Sequence, residues 1–359
     1  MRLTGVSRAV GLRLARDLPA GAGGVPLLQR GATITERYAR ALAEHGFRVV
    51  WVDDELSAGV EPRELLGETE RADAARRVRA FRETARAAAA SSRPLQSAAL
   101  ADMTRLAGEL ADRVASGPEG RLVLHDIAPA AQYVHRHPVN VAATGLLVAQ
   151  AVFRRHGWVD FAGARRFEQT GERLRLLGLA LLVMDVGTVR LPADLLAKPG
   201  PLDDRERALV RTHPEAGAAL LSSPAISPRL VDVVRDHHER LDGSGYPRGI
   251  GAAGLHQFAA IATVADVYAA VTSERPHRPA QPPDAGVAAV VAGRGSLFDA
   301  EVVDVFRRVV LPHPPGFEVV LPDGRRGIVA AVDPYEPRRL TVRAEDADGP
   351  AEATVDAPG

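Results

Sequence analysis

Two adjacent histidines, His237 and His238, open the run HHERLDGSGYP, which continues through Asp242, Gly243, Gly245, Tyr246 and Pro247. Neutral imidazole is the commonest nitrogen ligand of transition metals. Glycines let backbone approach a ligand closely and adopt positive φ. Paired nitrogen donors beside an acidic, glycine-punctuated turn therefore mark a candidate metal centre next to a shaped substrate loop. The chain has no cysteine. Disulfides, zinc ribbons and thiol chemistry are excluded, and any metal must be held by histidines and carboxylates.

The chain that must position these groups has 359 residues, long enough for two or three domains. Hydrophobic residues make up 46% and aromatics only 4%, so the core is expected to be built from Leu, Val and Ala. Forty-five basic residues balance 45 acidic ones. That balance argues against nucleic-acid and anionic-membrane binding, which need a basic surface. The longest apolar run, Leu176 to Met184, is too short to span a bilayer. The first sixteen residues hold several arginines and no acid, but they read as the first strands of a small domain rather than a transit peptide. A cytoplasmic location is expected.

Residues 1–60 mix β-like runs, Val25–Leu28 and Phe47–Val52, with glycine turns. Thr35 is placed to cap a helix through Ala43 that Gly46 ends, so this is a small α+β module. Residues 61–119 form an Ala/Arg/Glu-rich helical linker, with Asp73 and Arg77 at i,i+4 spacing. Ser91, Ser92, Arg93 and Pro94 should divide it into two helices. Met103, Leu106, Leu110 and Val114 make an apolar stripe of helical period, read as packing against the neighbouring domain, with homodimer formation as the sharper alternative. Residues 120–311 read as a helical domain with runs Val139–His156, Arg173–Val186, Arg205–Leu221 and Phe258–Ser273. In residues 312–359, Phe317–Leu321 and Arg326–Ala330 flank an Asp323-Gly324 turn as a β hairpin, followed by a strand near Leu340–Arg343 and a polar tail.

The string HHERLDGSGYP resembles the signature of the HD-GYP family, metal-dependent phosphohydrolases whose substrate class is cyclic di-GMP. The segment YVHRHPVNV resembles the family's first ligand helix and aligns His137, leaving His135 as a solvated bystander. HPEAG aligns His213, the pair aligns His237 and His238, and VADVYAAVTSERPHR aligns Asp266. Singly, each has a dull explanation as a surface or capping residue. Together they stand in family order, each within its own matching context. The implied fold is mainly α: an HD-type helical bundle flanked by the N-terminal α+β module and the C-terminal β hairpin module.

The sequence departs from the family at its naming dipeptide. Where the family carries LLHDIGK, this chain has LLVMDVGT, so Asp185 is kept while the histidine is Met184 and the lysine is Thr188. Ala269 stands where the family usually has another aspartate. The pair His125-Asp126 precedes the first ligand helix, lacks the trailing Gly-Lys, and reads as a decoy.

The resemblance implies that Asp185 bridges two metals, Fe or Mn. One metal is completed by His213, His237 and His238. The other, served by His137 and Asp266, is weakened because a thioether is a poor ligand for such ions. Gly243, Gly245, Tyr246 and Pro247 would form the substrate loop, and Arg275 and Arg278 would contact phosphate. The implied activity is hydrolysis of cyclic di-GMP or a related nucleotide by a metal-activated hydroxide, impaired by Met184 and Thr188. The alternatives are an inactive homologue that senses nucleotide or scaffolds a protein partner through the GYP loop, and a single-metal phosphohydrolase of another phosphoester.

Overall fold

A computed structural model describes residues 1–19, 26–117, 126–160, 162–276, 278–321, 323–333, 336–346 and 349–357. The N-terminal module holds β1 (Arg2–Gly5), β2 (Arg13–Leu14), β3 (Leu18–Pro19), β4 (Pro26–Leu28), α1 (Glu36–Glu44) and β5 (Val49–Asp53). Its three-stranded antiparallel sheet has the order β1-β5-β2, with Leu3 opposite Trp51. Thr35 caps α1 by accepting from the Tyr38 N–H, and Gly46 leaves the helix at φ +85°. Leu14, Leu18, Ile34, Leu42 and Trp51 fill a small core between helix and sheet.

Two helices follow, α2 (Glu68–Ala90) and α3 (Ala101–Ser116), broken by the Ser91–Pro94 segment as the sequence requires. The buried stripe of α3 packs on the bundle. Arg77 does not pair with Asp73. It reaches Asp102 and Glu109 on α3, while Asp73 meets Arg76, because the long guanidinium gains more carboxylate contact across the helix pair than along its own helix.

The bundle continues with α4 (Tyr133–His156), a short ribbon of β6 (Trp158–Val159) and β7 (Arg165–Arg166), then α5 (Thr170–Val183), α6 (Ala193–Ala197), α7 (Asp204–Val210), α8 (His213–Leu220), α9 (Pro228–Asp236), α10 (Gly251–Gly254), α11 (Gln257–Thr272), α12 (Pro283–Ala292) and α13 (Ala300–Val309). The run expected as one helix over Arg205–Leu221 is two, α7 and α8, which puts His213 at a helix start. Val78 and Phe81 of α2 and Met103 and Leu106 of α3 share one apolar core with Leu146, Leu177, Leu181, Ile261 and Val264. Leu, Val and Ala dominate that core, as the scarcity of aromatics dictates.

The C-terminal sheet is β11-β10-β9-β8, all antiparallel, from β8 (Glu318–Val320), β9 (Arg326–Val332), β10 (Arg339–Asp346) and β11 (Gly349–Asp356). The segment expected as a polar tail is therefore strand β11, paired along its length with β10. Glu352, Thr354 and Asp356 alternate with Ala351, Ala353 and Val355 on this mostly exposed outer strand. This module touches the N-terminal one: Leu3 N–H donates to the Gly316 carbonyl at 2.8 Å, and the Phe317 ring meets Trp51 edge-on at 5.8 Å.

A buried ionic cluster fixes α2 against α4. Arg136 is 2% exposed, and its Nη2 donates to Asp126 Oδ1 and Glu68 Oε1, both at 2.7 Å. Asn140 donates to Asp126 Oδ2 at 2.9 Å and accepts from Arg71 Nη1 at 2.7 Å. Burial alone would raise the Asp126 pKa, but the Arg136 guanidinium holds it well below the usual carboxylate range. Asp126 is thus structural; His125, its partner in the decoy dipeptide, lies outside the described residues. Removing one member of a buried pair strands the rest. Arg136→Met should cost about 3–5 kcal/mol of stability in urea denaturation, and a loss below about 1 kcal/mol would show that the cluster does not hold the two helices.

Candidate metal centre

Three helix ends and two helix interiors deliver the titratable groups singled out in the sequence. Asp185 follows α5 and begins a tight 3-10 turn over Val186–Arg190. His213 opens α8, while His237 closes α9 and is followed directly by His238. His137 and Asp266 come from α4 and α11. One ligand atom from each of Asp185, His213, His237 and His238 lies within 4.8 Å of the other three. His213 Nε2 is 3.2 Å from Asp185 Oδ1 and 3.3 Å from His237 Nε2. Beside them, His137 Nε2 is 2.9 Å from Asp266 Oδ1 and 3.7 Å from Asp185 Oδ2, and His238 Nδ1 is 3.6 Å from Asp266 Oδ2.

The backbone sets which nitrogen points inward. His213 Nδ1 donates to the Val210 carbonyl at 2.7 Å, and His237 Nδ1 donates to the Val234 carbonyl at 2.8 Å. Each bond occupies one ring nitrogen and leaves Nε2 free as a donor to a metal, the usual way a ligand imidazole is oriented. Three imidazoles and a carboxylate converging in this manner fit a divalent transition metal.

Electrostatics follow from burial. Desolvation would raise the Asp185 pKa, but His213 and His237 hold it well below its ordinary value. His237 is fully buried, which lowers its pKa, yet contact with Asp185 raises it overall. His238 is pushed well below its ordinary value by burial and then by His237. Asp266 is held low against desolvation, chiefly by His137.

His137, Asp185, His213, His238 and Asp266 form one wall of a cavity of about 440 Å³, within the size range of small-molecule sites, while the fully buried His237 does not line it. Tyr246 also lines it, stacked on His238 with ring centroids 4.7 Å apart. Gly243, Gly245 and Pro247 do not line it; they shape the turn that carries Tyr246. A Cβ on Gly245 would stand 2.5 Å from Glu239 Cα and Arg240 N, so only glycine permits that crossing. The buried Glu239 carboxylate ties the loop down by accepting from the backbone N–H groups of Arg248, Gly249 and Ile250. Arg275 and Arg278 line the cavity, with the Arg275 guanidinium 4.9 Å from the Tyr133 ring. Arg82, Tyr133 and Arg240 line it as well and were not singled out by the sequence. The local signal for Arg240 was its place inside HHERLDGSGYP; Arg82 had none. His135 is half-buried rather than solvated, with its pKa down to about 4 through burial and then the charges of Arg82 and Arg79.

A family model described as HD domain matches residues 161–302. A cyclic di-GMP phosphodiesterase of Pseudomonas aeruginosa is 35% identical over 225 residues, covering 62% of this chain and 50% of that protein. The cyclic di-GMP phosphodiesterase response regulator RpfG of Xanthomonas campestris is 38% identical, covering 39% of each. Residues 161–302 of this chain therefore match an HD domain. A cyclic di-GMP phosphodiesterase of Thermotoga maritima is 30% identical, covering 43% of each. The chain thus spans half or less of the length of these relatives.

At the dipeptide that gives the HD-GYP family its name, Met184 is 1% exposed and belongs to the apolar core, away from the cavity. Thr188 lines the cavity, its Oγ1 donating to the Asp185 carbonyl at 2.6 Å. Ala269 is buried. The turn carrying Asp185 presses on α8: a Cβ on Gly187 would fall 1.9 Å from the His213 carbonyl oxygen and 2.5 Å from Gly217 N. Gly187→Ala must push His213 from Asp185. The expected outcome is a metal content at least tenfold below the parent by elemental analysis; parent-level metal would show that the turn yields without moving His213.

Proposed function

We propose that this chain is a metal-dependent phosphodiesterase acting on cyclic di-GMP or a closely related cyclic dinucleotide. The observation that carries the reading is the coincidence, in one cavity, of a His/Asp cluster with four arginines, Arg82, Arg240, Arg275 and Arg278. Among the described residues none of the four forms an ion pair with a carboxylate. Two carboxylates, Asp185 and Asp266, face them. The surplus of guanidinium suits a substrate with two phosphodiester charges, which arginine recognises by bidentate hydrogen bonding.

In this reading Asp185, His213, His237 and His238 hold one Fe or Mn ion, and His137, Asp185 and Asp266 offer a second, weaker position because Met184 contributes no donor. Bound divalent metal supplies Lewis acidity toward the phosphoryl oxygens and lowers the pKa of water. The chain's own residues do the rest. Val210 and Val234 carbonyls fix the imidazole tautomers. Tyr246, stacked on His238, gives a base or sugar a flat apolar wall beside the cluster. Arg275, braced by Tyr133, has a buried Nε without a protein partner and can donate to phosphate. The proposed division of labour places every one of these groups after residue 60, with the GYP loop also available to a protein partner.

Turnover tests the reading. Protein purified without oxygen and reconstituted with iron or manganese should hydrolyse cyclic di-GMP, and Asp185→Ala prepared identically should lose at least a hundredfold, about 3 kcal/mol of transition-state stabilisation. Absence of product from protein confirmed to carry metal would instead favour a nucleotide sensor, which the substitutions at 184 and 188 already favour over an efficient enzyme.

The weak second position makes its own prediction. Met184→His, whose imidazole must turn from the apolar core toward Asp185, offers the missing donor, so the bound metal should rise from one ion per chain toward two and turnover should increase. An unchanged metal-to-protein ratio would show that position 184 does not limit the second site.

A further inference from the structure

Helix α2 lies outside the stretch matched to the HD domain, yet it sends one side chain into the metal cavity. Arg82 is 5% exposed and lines that cavity with Asp185 and Thr188. Its Nη1 donates to Thr188 Oγ1 at 2.9 Å and reaches the Asp185 carbonyl oxygen at 3.5 Å. Neither acceptor carries a charge. Among the described residues no carboxylate forms an ion pair with it, whereas three other arginines of the helix find one: Arg76 meets Asp73, Arg77 meets Asp102 and Glu109, and Arg79 meets Glu83. Burial pushes its pKa down to about 10, so it remains a cation at neutral pH.

A buried cation without a counter-ion is costly, and such groups are normally paired. The Asp185 carboxylate is not the partner, since it faces His213 and His237 while its backbone carbonyl faces Arg82. Asp185 offsets the buried charge only through space, and the side of the guanidinium open to the cavity is where a direct counter-charge can sit. We propose that Arg82 is a phosphate-binding residue of this site, its Nε and Nη2 donating to a phosphoryl oxygen of the nucleotide while Thr188 Oγ1 holds Nη1. The inference rests on the reading that the cavity accepts a nucleotide phosphate. It gives α2 a share in substrate recognition, and it places a cation against Thr188 from a residue more than a hundred positions earlier in the chain.

The bland alternative is a strut, with Arg82 merely tying α2 to the 3-10 turn. Charge relocation separates the two. Arg82→Met keeps the aliphatic stem and removes the charge. Adding Thr188→Lys returns a cation to the same spot from the other side of the contact, but rebuilds no link to α2. Binding of cyclic di-GMP and, separately, of inorganic phosphate is measured by calorimetry on metal-loaded full-length protein. Arg82→Met should weaken both about tenfold to a hundredfold at unchanged metal content, the range of a charge-assisted hydrogen bond, and the double variant should recover most of it. Equal binding by parent and Arg82→Met overturns the inference and leaves the nucleotide reading standing. Arg82-dependent phosphate binding with no affinity for cyclic di-GMP supports the inference and overturns that reading. Weakening without recovery in the double variant identifies a strut, and a parent that binds neither probe sinks both.

Discussion

A carboxylate held inside an apolar bundle by imidazoles is the constraint on which the rest of this structure depends. Asp185 sits between Met184 and Val186, both buried in the main core, and its charge is tolerable there only because His213 and His237 approach its oxygens. That requirement dictates a good deal of local chain geometry. Helix α8 must begin, and α9 must end, at the point where α5 stops. The carbonyls left over at the helix junctions, those of Val210 and Val234, then serve a second purpose by fixing the imidazole tautomers. Unsatisfied groups at helix ends thus become part of the site.

The second layer of support comes from the preceding helices. The Arg136, Asp126 and Glu68 cluster locks α2 to α4, the helix that carries His137. Arg136 and His137 are adjacent in the chain, so one side chain anchors the helix pair while the next enters the metal site. The same lock sets where Arg82 falls. Fourteen residues separate Glu68 from Arg82, close to four turns, so both lie on the face of α2 turned toward the bundle. A segment whose composition reads as a helical linker is, in its packing, a wall of the cavity.

Most of the cluster was legible because its residues sit inside local strings with distinctive composition. The paired histidines, the glycine turn and Tyr246 belong to one such string, and His213, Asp185 and Asp266 each lie in a recognisable context. Helix α1 with its Thr35 cap and the β8–β9 hairpin were legible for the same reason, since caps and turns are written in a few adjacent residues. Arg82 was not. It is one of several arginines in an Ala/Arg/Glu-rich helix, and nothing nearby distinguishes it from Arg79. Only burial does so, and burial is a property of tertiary packing. His135 illustrates the converse: its offset from His137 by two positions correctly removed it from the cluster, but could not reveal that neighbouring helices half-cover it. Strand β11 was missed because its alternation of Glu, Thr and small residues has too little apolar character to be separated from a tail without its partner, β10.

On the proposed reading, the residues at 184 and 188 act on different quantities. Position 184 governs donor count. Methionine there is buried in the apolar core and offers no nitrogen or oxygen donor beside His137 and Asp266. Position 188 governs charge near the Asp185 turn. Threonine supplies none itself, but its hydroxyl accepts from a buried guanidinium, so the cavity does contain a cation at that point. On the proposed reading, the site is therefore impoverished in metal ligands without being equally impoverished in positive charge. Binding of an anionic nucleotide depends mainly on the second quantity and turnover on both. A chain with this combination should hold its ligand better than it transforms it. The two properties are set by residues on different helices, α5 and α2, so they can vary independently.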